Sequence, residues 1–282
     1  MRQGMRGVDD WVAFLSKADI PVLKRTGREL AVLRQDPEKL GARKVAEVIS
    51  RDPLMTVKLL RYLQSHRSRN QTNDVLVVEQ ALIMLGLDVF FNRVPAEHSV
   101  EEVLHTHLDA LTSLLHVVHR AHRASGYARE WAVLHLHDMH YEEVRIVALL
   151  HDLAEMLMWC FEPEAMLEIR HIQQHDKALR SRDVQKQVLG FPLIELQHEL
   201  AKAWNLPELL LSLNDTEHSR HPRVRNVELA INLARHSANG WDDAALPDDY
   251  KDIGELIRMS ADEVMAMVAM ESGAACDLSR PH

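Results

Sequence analysis

The run Val147-Ala-Leu-Leu-His-Asp-Leu-Ala-Glu155 sets an adjacent His151-Asp152 pair inside an otherwise apolar helical stretch. Burying ionisable groups is costly unless they hold a metal or find hydrogen-bond partners, so packing alone does not account for the pair. Imidazole nitrogen and carboxylate oxygen suit a divalent cation at neutral pH; the same two groups can equally form a structural hydrogen-bonded pair. Upstream, His116, His119 and His122 recur at three-residue steps in Leu115-His-Val-Val-His-Arg-Ala-His122. That spacing lines a groove, rims the core or serves a pH-sensitive packing role. His135, His137 and His140 crowd a segment with Asp138, but no more than two share a helical face, and the segment reads as a solvated turn.

No other catalytic arrangement stands out. There is no Walker loop and no glycine-rich dinucleotide turn. Cys160 in an apolar helix and Cys276 in the tail have no partner histidine at a telling distance, and two cysteines suggest neither a disulfide framework nor a thiolate zinc site. The chain reads as one for a reducing compartment.

The elements that must position the His-Asp pair are helices. At 282 residues with 46% hydrophobic content, the chain can bury a continuous core. Ten Gly, ten Pro and 5% aromatics disfavour turn-rich β architectures, so the expected class is all-α. A net charge of -9 argues against a general grip on nucleic acid, and the basic run His66-Arg67-Ser68-Arg69 reads as a solvated loop. The first ten residues lack the apolar core of a signal peptide, and no apolar run approaches membrane-spanning length, so a cytoplasmic location is expected.

Apolar residues recur at helical spacing through Leu30, Leu33, Val45, Val48, Ile49, Leu54, Val57, Leu60 and Leu63. Ser50-Arg51-Asp52-Pro53 supplies an N-cap candidate and a first-turn proline, starting a helix at about Leu54. Asn70-Gln-Thr-Asn-Asp74 is a polar loop before an apolar segment over 75–87, which Gly86 ends. Pro95-Ala-Glu-His-Ser99 is the candidate seam between two helical halves. Beyond it the pattern predicts helices over 103–125, 141–161, 194–204, 226–238 and 261–271, with an acidic loop over 241–249. Met265, Met267 and Met270 on the last helix read as core or as a docking face.

Taken in order, several motifs resemble the HDOD family, the bacterial HD-related output domains. They are Ile20-Pro-Val-Leu23, Val48-Ile-Ser-Arg-Asp-Pro-Leu54 leading to Lys58-Leu-Leu-Arg61, Ala81-Leu-Ile-Met-Leu-Gly86, Ala148-Leu-Leu-His-Asp-Leu153 and Leu200-Ala-Lys-Ala-Trp-Asn-Leu-Pro207. The likeness covers roughly residues 19–238. It implies an N-terminal helical bundle (19–95) packed against an HD-like helical half (100–240), distantly related to HD-type metal-dependent phosphohydrolases. A lead segment (1–18) and a C-terminal helical extension (241–282) flank it. The resemblance also implies a signalling or regulatory module without demonstrated catalysis.

An HD hydrolase uses an upstream His, the adjacent His-Asp pair and a later Asp to hold a metal that polarises phosphate and activates water. His116, His151 and Asp152 match the first three. Where the later Asp belongs, this chain offers Ile231 and Asn232. Active relatives commonly follow the pair with Gly-Lys; here Ala154-Glu155 replaces a cation with an anion that repels phosphate. Relatives with extra histidines would carry them near Pro192-Leu193 and Thr216-Glu217, where this chain has none, although His218 and His221 lie just beyond. The first expectation is therefore a non-catalytic module that binds a partner protein or a nucleotide-like signal through a degenerate HD pocket at His116, His151, Asp152 and Glu155, in the cleft between the halves. Its cofactor expectation is none, with a divalent metal at His116, His151 and Asp152 as the exception. The alternative is a metal-dependent phosphohydrolase acting on a nucleotide or cyclic dinucleotide, its shell completed by Asp215 or His218. A homodimer joined through the C-terminal helix is the third option.

Overall fold

The computed structural model describes residues 7–36, 38, 40–66, 77–136, 139–176, 178–213 and 221–272. Within them the chain is helical, as expected, with one isolated parallel bridge between Val22 and Ser99. The run 67–76, His137, Asp138, Asp215, Thr216, Glu217, His218 and Cys276 lie outside the described residues.

The lead segment is no appendage. Helix α1 (Val8–Leu15) buries Trp11 and Leu15 completely. It packs on α13 (Leu193–Ala203) of the second half, and its Phe14 meets Phe161 edge to face at 5.5 Å. Arg61 donates to the Leu15 carbonyl at 2.6 Å and the Ala18 carbonyl at 3.0 Å, while Trp204 Nε1 donates to Ser16 Oγ at 2.9 Å.

In the first half, α2 (Lys24–Gln35), α3 (Ala42–Ile49), α4 (Pro53–Ser65), α5 (Val78–Leu85) and α6 (Leu87–Arg93) follow one another. The turn before α4 is built on Asp52. Its side chain accepts from Leu54 N at 2.9 Å and Met55 N at 3.1 Å, capping α4, while its other oxygen accepts from Leu23 N at 2.8 Å. One buried carboxylate thus ties the approach to α2 to the start of α4. Burial raises the Asp52 pKa, and its hydrogen bonds to backbone and Thr26 pull the other way. Gly86 ends α5 at φ +82°, a conformation that favours glycine. The seam folds back rather than dangling: Val22 N donates to the His98 carbonyl at 3.0 Å and Val100 N to the Val22 carbonyl at 2.9 Å. Ser99 and Glu102 form a capping box on the short α7 (Val100–Val103).

The second half is organised on α8 (Leu108–Leu134), longer than the helix expected over 103–125 and starting later. The helix expected over 141–161 is two helices, α9 (Tyr141–Leu150) and α10 (Leu153–Phe161), and the interruption falls at His151-Asp152. Next come α11 (Pro163–His175) and α12 (Ser181–Leu189), which hydrophobic spacing did not reveal, then α13, α14 (Glu208–Ser212) and α15 (Pro222–His236). The acidic stretch 241–249 is a loop only in its first part. At Leu246 α16 (Leu246–Ile257) begins, and within it Asp249 turns inward to meet His236 Nδ1 at 2.6 Å. Finally α17 (Ala261–Ser272) spends Val264 and Val268 on the core and leaves Met270 79% exposed. A single buried apolar cluster runs from Trp11 through Leu59, Trp131 and Leu157 to Val268, so the halves and the C-terminal extension share one core.

Candidate functional site

Breaking the chain between α9 and α10 frees backbone groups in a buried place, and Gln197 of α13 takes them up. Its Nε2 donates to the Leu150 carbonyl at 3.0 Å, and its Oε1 accepts from Ala154 N at 2.8 Å. Gln197 is 5% exposed, so no solvent replaces it. We expect Gln197→Leu to cost about 2–4 kcal/mol by leaving two buried backbone groups unpaired. A chemical denaturation midpoint unchanged from wild type would show that the break does not need this clamp.

The break turns His151 and Asp152 toward α8. His151 Nδ1 donates to the Ala148 carbonyl at 2.8 Å, and its Nε2 lies 3.0 Å from Asp152 Oδ2. The partner that closes this corner is Arg120, a residue the sequence reading passed over. Its Nη2 donates to Asp152 Oδ2 at 2.5 Å and Glu155 Oε2 at 3.1 Å, and its Nε reaches Asp152 Oδ2 at 3.1 Å. Trp159 Nε1 donates to Glu155 Oε1 at 3.4 Å. Glu155, expected to repel a phosphate, is therefore half of an arginine clasp.

The electrostatics follow from this crowding. Burial by itself would raise the Asp152 pKa, but the charges and hydrogen bonds of His151 and Arg120 outweigh it and hold that carboxyl well below the usual range. Glu155 is pushed up, first by burial and then by Asp152 beside it. Burial works against the Arg120 charge, yet the two carboxylates keep its pKa above the ordinary value.

Could the corner hold a divalent cation? The His151 tautomer fixed by Ala148 leaves Nε2 facing Asp152 Oδ2, which is how two ligands of one metal would stand. That oxygen, however, already receives both Nε and Nη2 of Arg120, and the guanidinium supplies the positive charge where a cation would be needed. His116 sits on α8 one turn before Arg120 and is exposed. Among the described residues no group of three or more His, Cys, Asp or Glu side chains could hold a metal ion. On α15, Ile231 is apolar and the Asn232 oxygen accepts from Arg235 Nη2 at 2.8 Å. Asn226, fully buried there, is a neutral amide. The described residues do not fit a divalent metal centre.

Two adjoining cavities, of about 410 and 660 Å³, open between the halves, and neither is lined by His116, His151, Asp152 or Glu155. They are walled by the corner between α3 and α4 on one side and by α8 and α9 on the other.

The HDOD domain model matches residues 20–220, and the chain belongs to the HDOD family. No curated protein matches it. Among solved structures, the MmoQ response regulator of Methylococcus capsulatus str. Bath is similar with a TM-score of 0.67 and 18% identity, over 90% of this chain and 99% of that one. A virulence factor of Campylobacter jejuni subsp. jejuni follows at 0.63 and 19% identity, over 96% and 94%. An HDOD domain protein with unknown function from Geobacter sulfurreducens gives 0.50 and 16%, over 95% of each chain. At such identities the likeness concerns the fold.

Proposed function

We propose that this chain is a non-catalytic signalling module of the bacterial cytoplasm, which acts by binding a partner protein or a nucleotide-like signal rather than by hydrolysing one. The observation that carries this reading is the Arg120 clasp on Asp152 and Glu155. A hydrolase of this architecture would need that carboxylate free for a cation, and a guanidinium in its place both blocks and repels one. Asp152 and Glu155 keep 23% and 29% of their side-chain surface in water, so the closed corner still presents a polar edge, with the exposed His116 nearby, that a partner can read. On α17, the exposed Met270 is what the chain offers a second copy.

One observation favours the phosphohydrolase alternative, the Nε2 of His151 facing Asp152 as a ligand pair would. The experiment is metal analysis of the purified chain and of His151→Ala, with turnover of a phosphodiester and a cyclic dinucleotide measured in added manganese. We expect substoichiometric metal in both proteins and no turnover above the buffer. Stoichiometric metal that disappears in His151→Ala, together with cleavage, would establish the enzyme instead.

A further inference from the structure

Arg51, Arg129 and Arg145 all line both of the cavities between the halves. Arg51 comes from the corner between α3 and α4, Arg129 from α8 and Arg145 from α9, so three guanidinium groups from distant parts of the chain meet at one mouth. In a protein of net charge -9, such a focus of positive charge opposes the overall field.

The corner is held in place by contacts that cross between the halves. His122 Nε2 donates to the Arg51 carbonyl, and Arg145 Nη2 donates to Ser50 Oγ at 3.3 Å. Arg145 is 14% exposed and steadied by Glu142, whose Oε2 accepts from its Nε at 3.0 Å and its Nη2 at 2.7 Å. Arg51 is 60% exposed and lies 3.8 Å from Glu29, which is already paired with Arg25 at 2.5 Å. Arg129 forms no ion pair among the described residues; its guanidinium carbon sits 5.9 Å from the centre of the Tyr141 ring.

Carboxylates are unevenly spread. The smaller cavity has Glu29 against Arg25, Arg51, Arg129 and Arg145. Glu47, Glu79 and Glu142 border the larger one, with Arg43 lying 3.6 Å from Glu47, beside Tyr141, a residue 44% exposed. An anion fits the first end, where planar guanidinium groups present paired donors to phosphate oxygens. A bare phosphate gains little from the second end, where three carboxylates offset the arginines and Glu47 already faces Arg43. Carboxylates and an aromatic ring there suit hydroxyl and amino donors on a flat, polar molecule.

We infer that the cleft between the two halves is a binding site for a nucleoside phosphate, its phosphates held by Arg51, Arg129 and Arg145 and its nucleoside lying toward Glu47, Glu79 and Tyr141. The inference rests on the reading of the chain as a binding module and gives that module a ligand class. Because the arginines come from both halves, occupancy fastens one half to the other and raises the melting temperature of the whole chain.

The test is calorimetric titration of the full chain with GDP, and separately with inorganic pyrophosphate, at low ionic strength in a metal-free buffer, with thermal unfolding alongside. GDP is expected to bind more tightly than pyrophosphate and to raise the melting temperature. Arg51→Glu and Arg129→Glu, both exposed positions, are each expected to weaken GDP by about tenfold or more through loss of a charge-assisted contact. Arg182→Glu, on α12 and 71% exposed, is expected to leave the affinity as it is. No GDP binding at millimolar concentration, or wild-type affinity in both cleft variants, overturns the assignment, and pyrophosphate binding as tightly as GDP overturns its nucleoside part. Those failures leave the non-catalytic reading standing, whereas GDP consumed during the titration would overturn that reading.

Discussion

Arg120→Ala is expected to lower the unfolding free energy by about 2–4 kcal/mol at neutral pH, less than the full cost of breaking a buried ion pair because Asp152 and Glu155 keep part of their surface in water. Asp152 and Glu155 then face each other without the guanidinium that lies 2.5 and 3.1 Å from them. Urea denaturation of the two proteins measures the difference, and a loss below about 1 kcal/mol would place the cluster with exposed, inconsequential pairs. The pH dependence gives a second check. The depressed pKa of Asp152 makes a contribution that is present above its unfolded value and lost as pH falls through its folded one. The raised pKa of Glu155 makes the opposite contribution, present in acid and lost as pH rises through its folded value. In wild type the two oppose each other. In the gap between wild type and Arg120→Ala they add, because removing the cation weakens what Asp152 gains in neutral solution and deepens what Glu155 loses there. The gap should therefore narrow as the solution is acidified.

Asp52→Ala is expected to be at least as damaging, at roughly 3–5 kcal/mol, because it leaves the buried amides of Leu23, Leu54 and Met55 without their acceptor and strips the cap from α4. Its pH signature should be the reverse. Burial raises the Asp52 pKa, so the stability the group contributes is fully present below its unfolded value and declines as pH rises through the folded one. The gap between wild type and Asp52→Ala should thus widen in acid, where the Arg120 gap shrinks. Asp52→Asn, which keeps an acceptor and buries no charge, should cost less than alanine at neutral pH. Equal losses for Asn and Ala would mean that the cap oxygen is not what holds this turn.

Local signals carried far into the fold where they were chemical as well as periodic. Pro53 after a capping residue marked the start of α4, and Gly86 marked the end of α5, because each imposes a backbone preference that survives any packing. Periodicity alone served less well. The even apolar run over 141–161 concealed a break, since Leu150 and Leu153 are buried on either side of it and no glycine or proline marks it. The acidic residues over 241–249 read as solvent-facing, and nothing local shows that Asp249 would turn inward to His236.

The sequence by itself determined the helical class, the family and the identity of the unusual pair, because composition, ordered motifs and an ionisable pair among apolar neighbours are all properties of nearby residues. Only the tertiary structure decided what the pair does. Arg120 is 32 residues from Asp152, and Gln197 is 43 from Ala154, so neither the clasp nor the clamp has a signature within a helical turn. The meeting of Arg51, Arg129 and Arg145 is likewise a product of α8 and α9 packing beside the corner between α3 and α4. A charge is placed locally by sequence; whether it finds a metal, an arginine or a ligand depends on which distant helix the core brings against it.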